Sequence, residues 1–367
     1  MDKYLVMLDP IGIVASDVEN ILERQEIYLS RMNFLTDSKY HLIIVTRQCQ
    51  VERIPPNIEI ISIPSKTRFS PTFLVGAYRN LKPLKTQISL FIAGDPWETL
   101  LITFLLKLTL SRKTPIQAQL HADIGDPNWD KGNYIRKIRK YLFPHLANLA
   151  SSFRFVSQGQ LNRCKYLLNN KMDLVIAPVP SPEILVGESV GKRERTRAIG
   201  FLGRIHQDRG LEDFTSFATA VKSRYPEVSI VVAGDGPNRE EFLTALKSIP
   251  IEVEYMGSIS GSQKKVFWRK IGVLASFAPT ESFGRSIRES LFNYTPVIAK
   301  ESPQILELQR MFGDESIAIL GKSPNENANK FATILNAQFS ESDISVLKKE
   351  QVEAVNRLCD SWKRITN

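Results

Sequence analysis

The stretch that decides the fold is Pro279-Thr280-Glu281-Ser282-Phe283-Gly284-Arg285-Ser286-Ile287-Arg288-Glu289, followed by Thr295-Pro296-Val297-Ile298-Ala299. It reads as a loop leaving an apolar strand at 273–277, a helix over 283–293, and another buried strand at 295–299. Ser282 can cap the helix, whose start offers free amides and a positive dipole end to an anion. Glu289 lies about two turns below Glu281. Carboxylates so placed can grip hydroxyls on either side of that anion. The spacing alone equally fits two glutamates on a helix surface, so its context carries the reading.

Upstream, the alternation continues. Residues 198–202, 228–233 and 251–256 read as strands, and 211–223, 239–248 and 262–270 as helices. This is a doubly wound unit with a parallel sheet. The first half repeats the pattern, with strands at 4–8, 42–45, 58–63, 90–93, 116–120, 153–157 and 174–176. A capping box, Ser16-Asp17-Val18-Glu19, opens one of its helices. Residues 99–110 are too short to span a bilayer, contain Lys107, and read as a buried helix. Pro178, Pro180, Pro182, Gly187, Gly191 and the run Lys192-Arg193-Glu194-Arg195 mark a break. The expected organisation is a first domain over 1–180, a linker over 181–196, a second domain over 197–341, and a helix over 342–367 that crosses back to the first domain.

Composition is that of a globular protein, with 43% hydrophobic and 24% charged residues in 367. The three cysteines, Cys49, Cys164 and Cys359, show no metal or disulfide spacing and fit a reducing cytoplasm. No signal peptide is visible, so a cytoplasmic location is expected, peripheral on the inner membrane face if the basic half meets lipid. Of the net charge of +9, +8 sits in the first half: residues 1–180 hold 23 Lys+Arg against 15 Asp+Glu. That half is expected to meet something anionic.

Two further motifs precede the opening stretch. In Phe201-Leu202-Gly203-Arg204-Ile205-His206-Gln207-Asp208-Arg209-Gly210, a strand exits through Gly203. Arg204 and Arg209 then flank a loop ahead of a helix, a plausible diphosphate clamp or an ordinary loop with surface arginines. In Val231-Val232-Ala233-Gly234-Asp235-Gly236-Pro237, Gly234 and Gly236 turn the chain sharply at a strand end, where α/β sheets bind ligands. His206 is expected in solvent. No D-x-D, P-loop, zinc or Ser-His-Asp pattern occurs, so no metal site and no cofactor are expected.

In this order and spacing, the three motifs resemble the carboxyl-terminal domain of glycosyltransferase family 4, the retaining group of the GT-B fold. The resemblance is strong over 197–300 and fainter elsewhere. It implies two Rossmann-like domains facing each other across a cleft. It implies transfer of a sugar from a UDP- or GDP-type nucleotide sugar to a hydroxyl of a glycan or lipid-linked acceptor, with retention and without metal. Cell-surface polysaccharide synthesis would be the setting. Arg204 and Arg209 would bind the donor diphosphate, although lysine is usual at position 209. Glu281 would hold the sugar hydroxyls, Ser282 would lie beside it, and the amides of Phe283 and Gly284 would meet sugar and phosphate. Glu289 would bind the ribose, and Gly257, Ser258 and Ile259 would flank the base. Gly12 matches the glycine loop facing the diphosphate. His121 matches a strand-end histidine beside the donor sugar; on its own it reads as a buried structural histidine. Glu301-Ser302-Pro303-Gln304 stands where the family commonly has sugar-contacting glycines.

Residues 134–143, Tyr-Ile-Arg-Lys-Ile-Arg-Lys-Tyr-Leu-Phe, put Ile135, Ile138 and Leu142 on one helical face among four cations. Such a helix either packs that face on the sheet or lies on an anionic membrane. Nucleic acid has no reading motif to accompany the charge. An epimerase or phosphorylase of the same fold, or a catalytically silent relative, are the alternatives.

Overall fold

The computed structural model describes residues 2–12, 14, 18–47, 49, 51, 53–65, 70–169, 172–338 and 341–366. Ser16 and Asp17 of the expected capping box lie outside the described residues. The chain divides into two compact units: residues 1–182 with 352–367, and residues 183–351.

In the first unit the elements run β1 (Lys3–Asp9), α1 (Val18–Leu35), β2 (Tyr40–Arg47), β3 (Ile58–Ile63), α2 (Pro71–Leu81), β4 (Ile88–Ala93), α3 (Glu98–Leu110), β5 (Ile116–Leu120), α4 (Tyr134–Ala147), β6 (Ser152–Phe155), α5 (Gln158–Cys164) and β7 (Asp173–Ile176). The seven strands are parallel in the order β3-β2-β1-β4-β5-β6-β7. Helices cover both faces of such a sheet, which is why its strands are continuous apolar runs rather than alternating ones. The buried core joins Val6, Leu8, Ile43, Phe91, Phe143 and Phe153.

The second unit follows α6 (Pro182–Leu185) with β8 (Ala198–Leu202), α7 (Leu211–Arg224), β9 (Ser229–Ala233), α8 (Arg239–Lys247), β10 (Glu252–Tyr255), α9 (Ser262–Lys270), β11 (Val273–Ser276), α10 (Arg285–Phe292), β12 (Val297–Ala299), α11 (Pro303–Phe312), β13 (Ile317–Ile319) and α12 (Pro324–Leu335). Its six strands are parallel in the order β10-β9-β8-β11-β12-β13. Strand β13 and helices α11 and α12 complete a half of this unit that the sequence reading left blank. Both helices begin alike. Ser302 and Ser323 accept amides from Ile305 and Glu326, and Pro303 and Pro324 preset the first turn.

The last helix, α13 (Glu341–Thr366), begins in the second unit and contributes its residues from Val352 to the first. There Trp362 Nε1 donates to Gln117 Oε1 at 2.8 Å, and Gln117 Nε2 donates to Ser361 Oγ at 3.2 Å. Gln117, the second residue of β5 and wholly buried, is thereby satisfied by residues of the last helix.

The charged run at 192–195 is not a loose connector. Arg193 donates to the carbonyls of Trp268, Ile271 and Asn293. Arg195 donates to Tyr294 O at 3.2 Å and Leu335 O at 2.7 Å. The carboxyl ends of α9, α10 and α12 therefore converge on two arginines, where cations offset both the unpaired carbonyls and the helix dipoles.

Candidate functional site

In the second unit the strand order reverses between β8 and β11, since β9 and β10 follow β8 on one side while β12 and β13 follow β11 on the other. Ligands in open α/β sheets bind at the carboxyl ends of the strands flanking such a switch. The loops leaving β8 and β11 carry Gly203, Arg204 and Arg209 on one side and Glu281 to Gly284 on the other.

Glycines let these loops close on each other. Gly210 has φ +68°, and a Cβ there would strike the carbonyl of Phe277. A Cβ on Gly234 or Gly236 would strike the carbonyl of Gly203 or Ile205. The Gly234 amide also donates to Gly257 O at 2.7 Å, so the turns after β8, β9 and β10 are knit backbone to backbone. Ser258 is exposed and Ile259 half-buried beside that turn. His206 is only partly exposed and its Nδ1 lies 2.7 Å from Asp208 Oδ1, so it braces the loop rather than pointing free into solvent.

Arg204 is exposed, and Arg209 reaches across the switch until its Nη1 stands 4.0 Å from Glu281 Oε2. The other oxygen of Glu281, Oε1, accepts the amides of Ser282, Phe283 and Gly284 at 3.0, 3.3 and 2.9 Å. This corrects the sequence reading in two respects. Helix α10 starts at Arg285 behind Gly284 (φ +78°), so Ser282 does not cap it. The three preceding amides are not free, because a carboxylate fills the backbone nest that an anion would otherwise occupy.

Glu289 is buried on α10. Its Oε2 lies 3.1 Å from Lys264 Nζ and its Oε1 3.8 Å from Arg285 Nε. Glu183, on α6, faces the same lysine at 3.8 Å and accepts from Asn293 Nδ2 at 2.6 Å. Burial, and then the neighbouring Glu289 charge, push the Glu183 pKa up to about 7. Lys264 and Glu183 had no signal in the sequence beyond their types, since only the fold brings α6 and α9 to α10.

In the first unit the order reverses between β1 and β4. Gly12 follows β1 with φ +79°, and its amide donates to Asp9 Oδ1 at 3.0 Å. His121 follows β5, and it is exposed rather than buried as its sequence context suggested. Desolvation within its surroundings, then the Arg154 and Arg24 charges, lower its pKa to about 3. Gln119 Oε1, which also accepts from Arg154, lies 3.1 Å from His121 Nε2. The neutral ring therefore carries its proton on Nε2 and leaves Nδ1 as an acceptor.

Helix α4 opens on Asn133, whose side chain accepts the Arg136 amide. It buries Phe143 and Ala147, so the face with Ile135, Ile138 and Leu142 does not pack on the sheet. Tyr134 and Tyr141 are 76% and 75% exposed, and those three aliphatics are exposed beside them. Arg136 is tied to Trp129 O, Arg139 to Glu98 and Lys140 to Asp130, which leaves cations ordered around an apolar stripe.

Comparison with known proteins agrees with this fold. Residues 187–349 match the family described as Glycosyl transferases group 1. Alpha-monoglucosyldiacylglycerol synthase of Streptococcus pneumoniae is 28% identical over 129 residues, which is 34% of this chain and 29% of that protein. Among solved structures, sucrose-phosphate synthase of Thermosynechococcus elongatus superposes with a TM-score of 0.68 at 16% identity, covering 99% of this chain and 96% of that one. HepE of Anabaena, solved with UDP-glucose, gives 0.64 at 14% identity, covering 99% and 98%. Residues 187–349 therefore match a group 1 domain, and the two Rossmann-like units with parallel sheets share the GT-B fold of these solved structures.

Proposed function

We propose that the protein is a retaining, metal-independent hexosyltransferase of family 4, moving a sugar from a UDP- or GDP-sugar to a hydroxyl of a glycan or lipid-linked acceptor. The observation that carries this is the Arg209–Glu281 approach across the β8/β11 switch. It sets a phosphate-seeking guanidinium beside a hydroxyl-seeking carboxylate, the pair that a sugar on a diphosphate requires. Arg204 and Arg209 would stabilise charge developing on the leaving diphosphate, the term that commonly dominates such catalysis. Glu281 would orient the sugar, exchanging its amide partners for donor oxygens. Glu289 would take the ribose, and Gly203, Gly234, Gly236, Gly257, Ser258 and Ile259 would line the nucleotide. The acceptor hydroxyl would give its proton to the leaving phosphate on the same face, which needs no enzymic nucleophile. On the first unit, Gly12 and neutral His121, whose Nδ1 is an acceptor, are the residues that the family resemblance would assign to donor binding.

The glycolipid named for the S. pneumoniae relative supports a lipid-linked acceptor. The exposed stripe of α4 with its cations supports work at an anionic membrane surface, the cytoplasmic face of the membrane being the setting we favour. UDP-glucose in HepE supports a UDP-type donor. Cell-surface glycolipid or polysaccharide synthesis is the role these point to.

The test incubates the protein with UDP- and GDP-sugars, lipid acceptors and EDTA, and follows nucleoside diphosphate release with an extended acceptor. Because Glu281 holds three amides, Glu281→Ala would disturb the loop as well as the chemistry. Glu281→Gln keeps an acceptor there and should still lower turnover by about 100-fold, the scale of losing a key electrostatic group. Wild-type turnover in that variant, or activity only with added metal, would sink the assignment.

A further inference from the structure

Arg288 lies between the two carboxylates of the opening motif, and it is 3% exposed. A buried guanidinium is costly unless its charge and its donors are all engaged. Here they are. Nε and Nη2 each donate to one oxygen of Glu350 on α13, both at 2.6 Å. Nη1 donates to the carbonyl of Phe283, and the guanidinium carbon lies 3.7 Å from the centroid of the Phe283 ring. Every group recorded against it therefore belongs either to the donor loop or to α13. A leucine would fill a buried helical position without the desolvation cost, so the residue type calls for another explanation.

The backbone supplies one. The 283–284 peptide is trans, like every described peptide, so its N–H points opposite to its carbonyl. Drawing the Phe283 carbonyl to Arg288 aims the Gly284 N–H the other way, where Glu281 Oε1 now receives it at 2.9 Å. Only glycine suits position 284. Its φ is +78°, and a Cβ would come within 2.8 Å of Leu308.

We propose that Arg288, clamped by Glu350, is a positioning residue that aims the Gly284 amide at the transferred sugar. This rests on the function proposed above, in which the donor takes the place of Glu281 at that amide. Arg288 would touch no substrate, and its effect would be confined to the sugar end of the donor. The nucleoside diphosphate end is held by Arg204, Arg209 and Glu289, which Arg288 does not touch.

The test compares wild type, Arg288→Leu and Glu350→Gln in three measurements: Tm, affinity for the free nucleoside diphosphate, and kcat/KM for the nucleotide sugar that the donor screen identifies. Aiming predicts at least a tenfold loss of kcat/KM in both variants, with nucleoside diphosphate affinity within twofold of wild type. Wild-type kcat/KM in both variants overturns the proposal. So does a parallel fall of kcat/KM, diphosphate affinity and Tm, which marks a structural ion pair only. If Arg288→Leu does not fold, Glu350→Gln decides, because it keeps the shape and removes only the charge. A wild-type protein that transfers no sugar fails the reading above before either variant is made, so the two failures are distinct.

Discussion

Glu183 carries the clearest consequence at the scale of a single residue. Folding lifts its pKa from 4.5 to about 7, by burial and by the Glu289 charge. The native state thus holds this proton more tightly than the unfolded chain. The stability it contributes is complete below about pH 4.5 and is lost as pH rises through about 7. Glu183→Gln keeps an acceptor for Asn293 and removes the titration. The variant should gain on wild type between pH 5 and pH 8 by on the order of 1–3 kcal/mol. Melting curves across that range check it, and parallel curves would refute the coupling. Residue types at this scale were legible where a motif framed them. Arg204, Arg209 and Glu281 stand out from their motifs alone, and in the fold Arg209 approaches Glu281. Lys264, Glu183 and Glu350 were not legible, because each meets its charged partner through contacts 25 to 81 residues apart.

At the scale of elements, α4 separates two readings that periodicity could not. A stripe of Ile135, Ile138 and Leu142 looks the same whether it faces a sheet or a bilayer. The structure leaves it exposed, with Phe143 and Ala147 facing inward instead. Because the stripe makes no core, Ile138→Asp should change folding stability by less than about 0.5 kcal/mol. It should also abolish sedimentation with vesicles rich in anionic lipid, and the wild-type binding it removes should weaken as salt rises. Undiminished vesicle binding by the variant would exclude α4 as the docking face. The element reading failed at α11 and α12 for another reason. Their Ser-Pro starts were present at 302–303 and 323–324, but the first was read only for what it lacked, and β13 is three residues long, too short for periodicity.

At the scale of the molecule, both sheets and their parallel sense were legible, because buried parallel strands write themselves as unbroken apolar runs. What the pattern could not give was which distant segments finish each unit. Trp362 fills the first unit and satisfies Gln117, a pairing 245 residues apart. Trp362→Ala should cost about 3–5 kcal/mol through the cavity, and the unpaired Gln117 oxygen adds to it. Denaturant titration should show the first unit melting early while nucleotide binding on the second persists. A single transition shifted for both would argue against separate units.

The placement of α13 also bears on the order in which the chain is made. Residues 352–366 leave the ribosome after the whole of residues 183–351, yet they supply the partners of Tyr28, Tyr40, Gln117 and Asp173. The unit synthesised first is therefore the one completed last. During translation it must wait, with an open strip beside β5, α1 and β7, while an entire second unit folds behind it. A nascent chain of this kind is exposed to chaperones and proteases at its amino-terminal half, and its half-life in the cell should be set there.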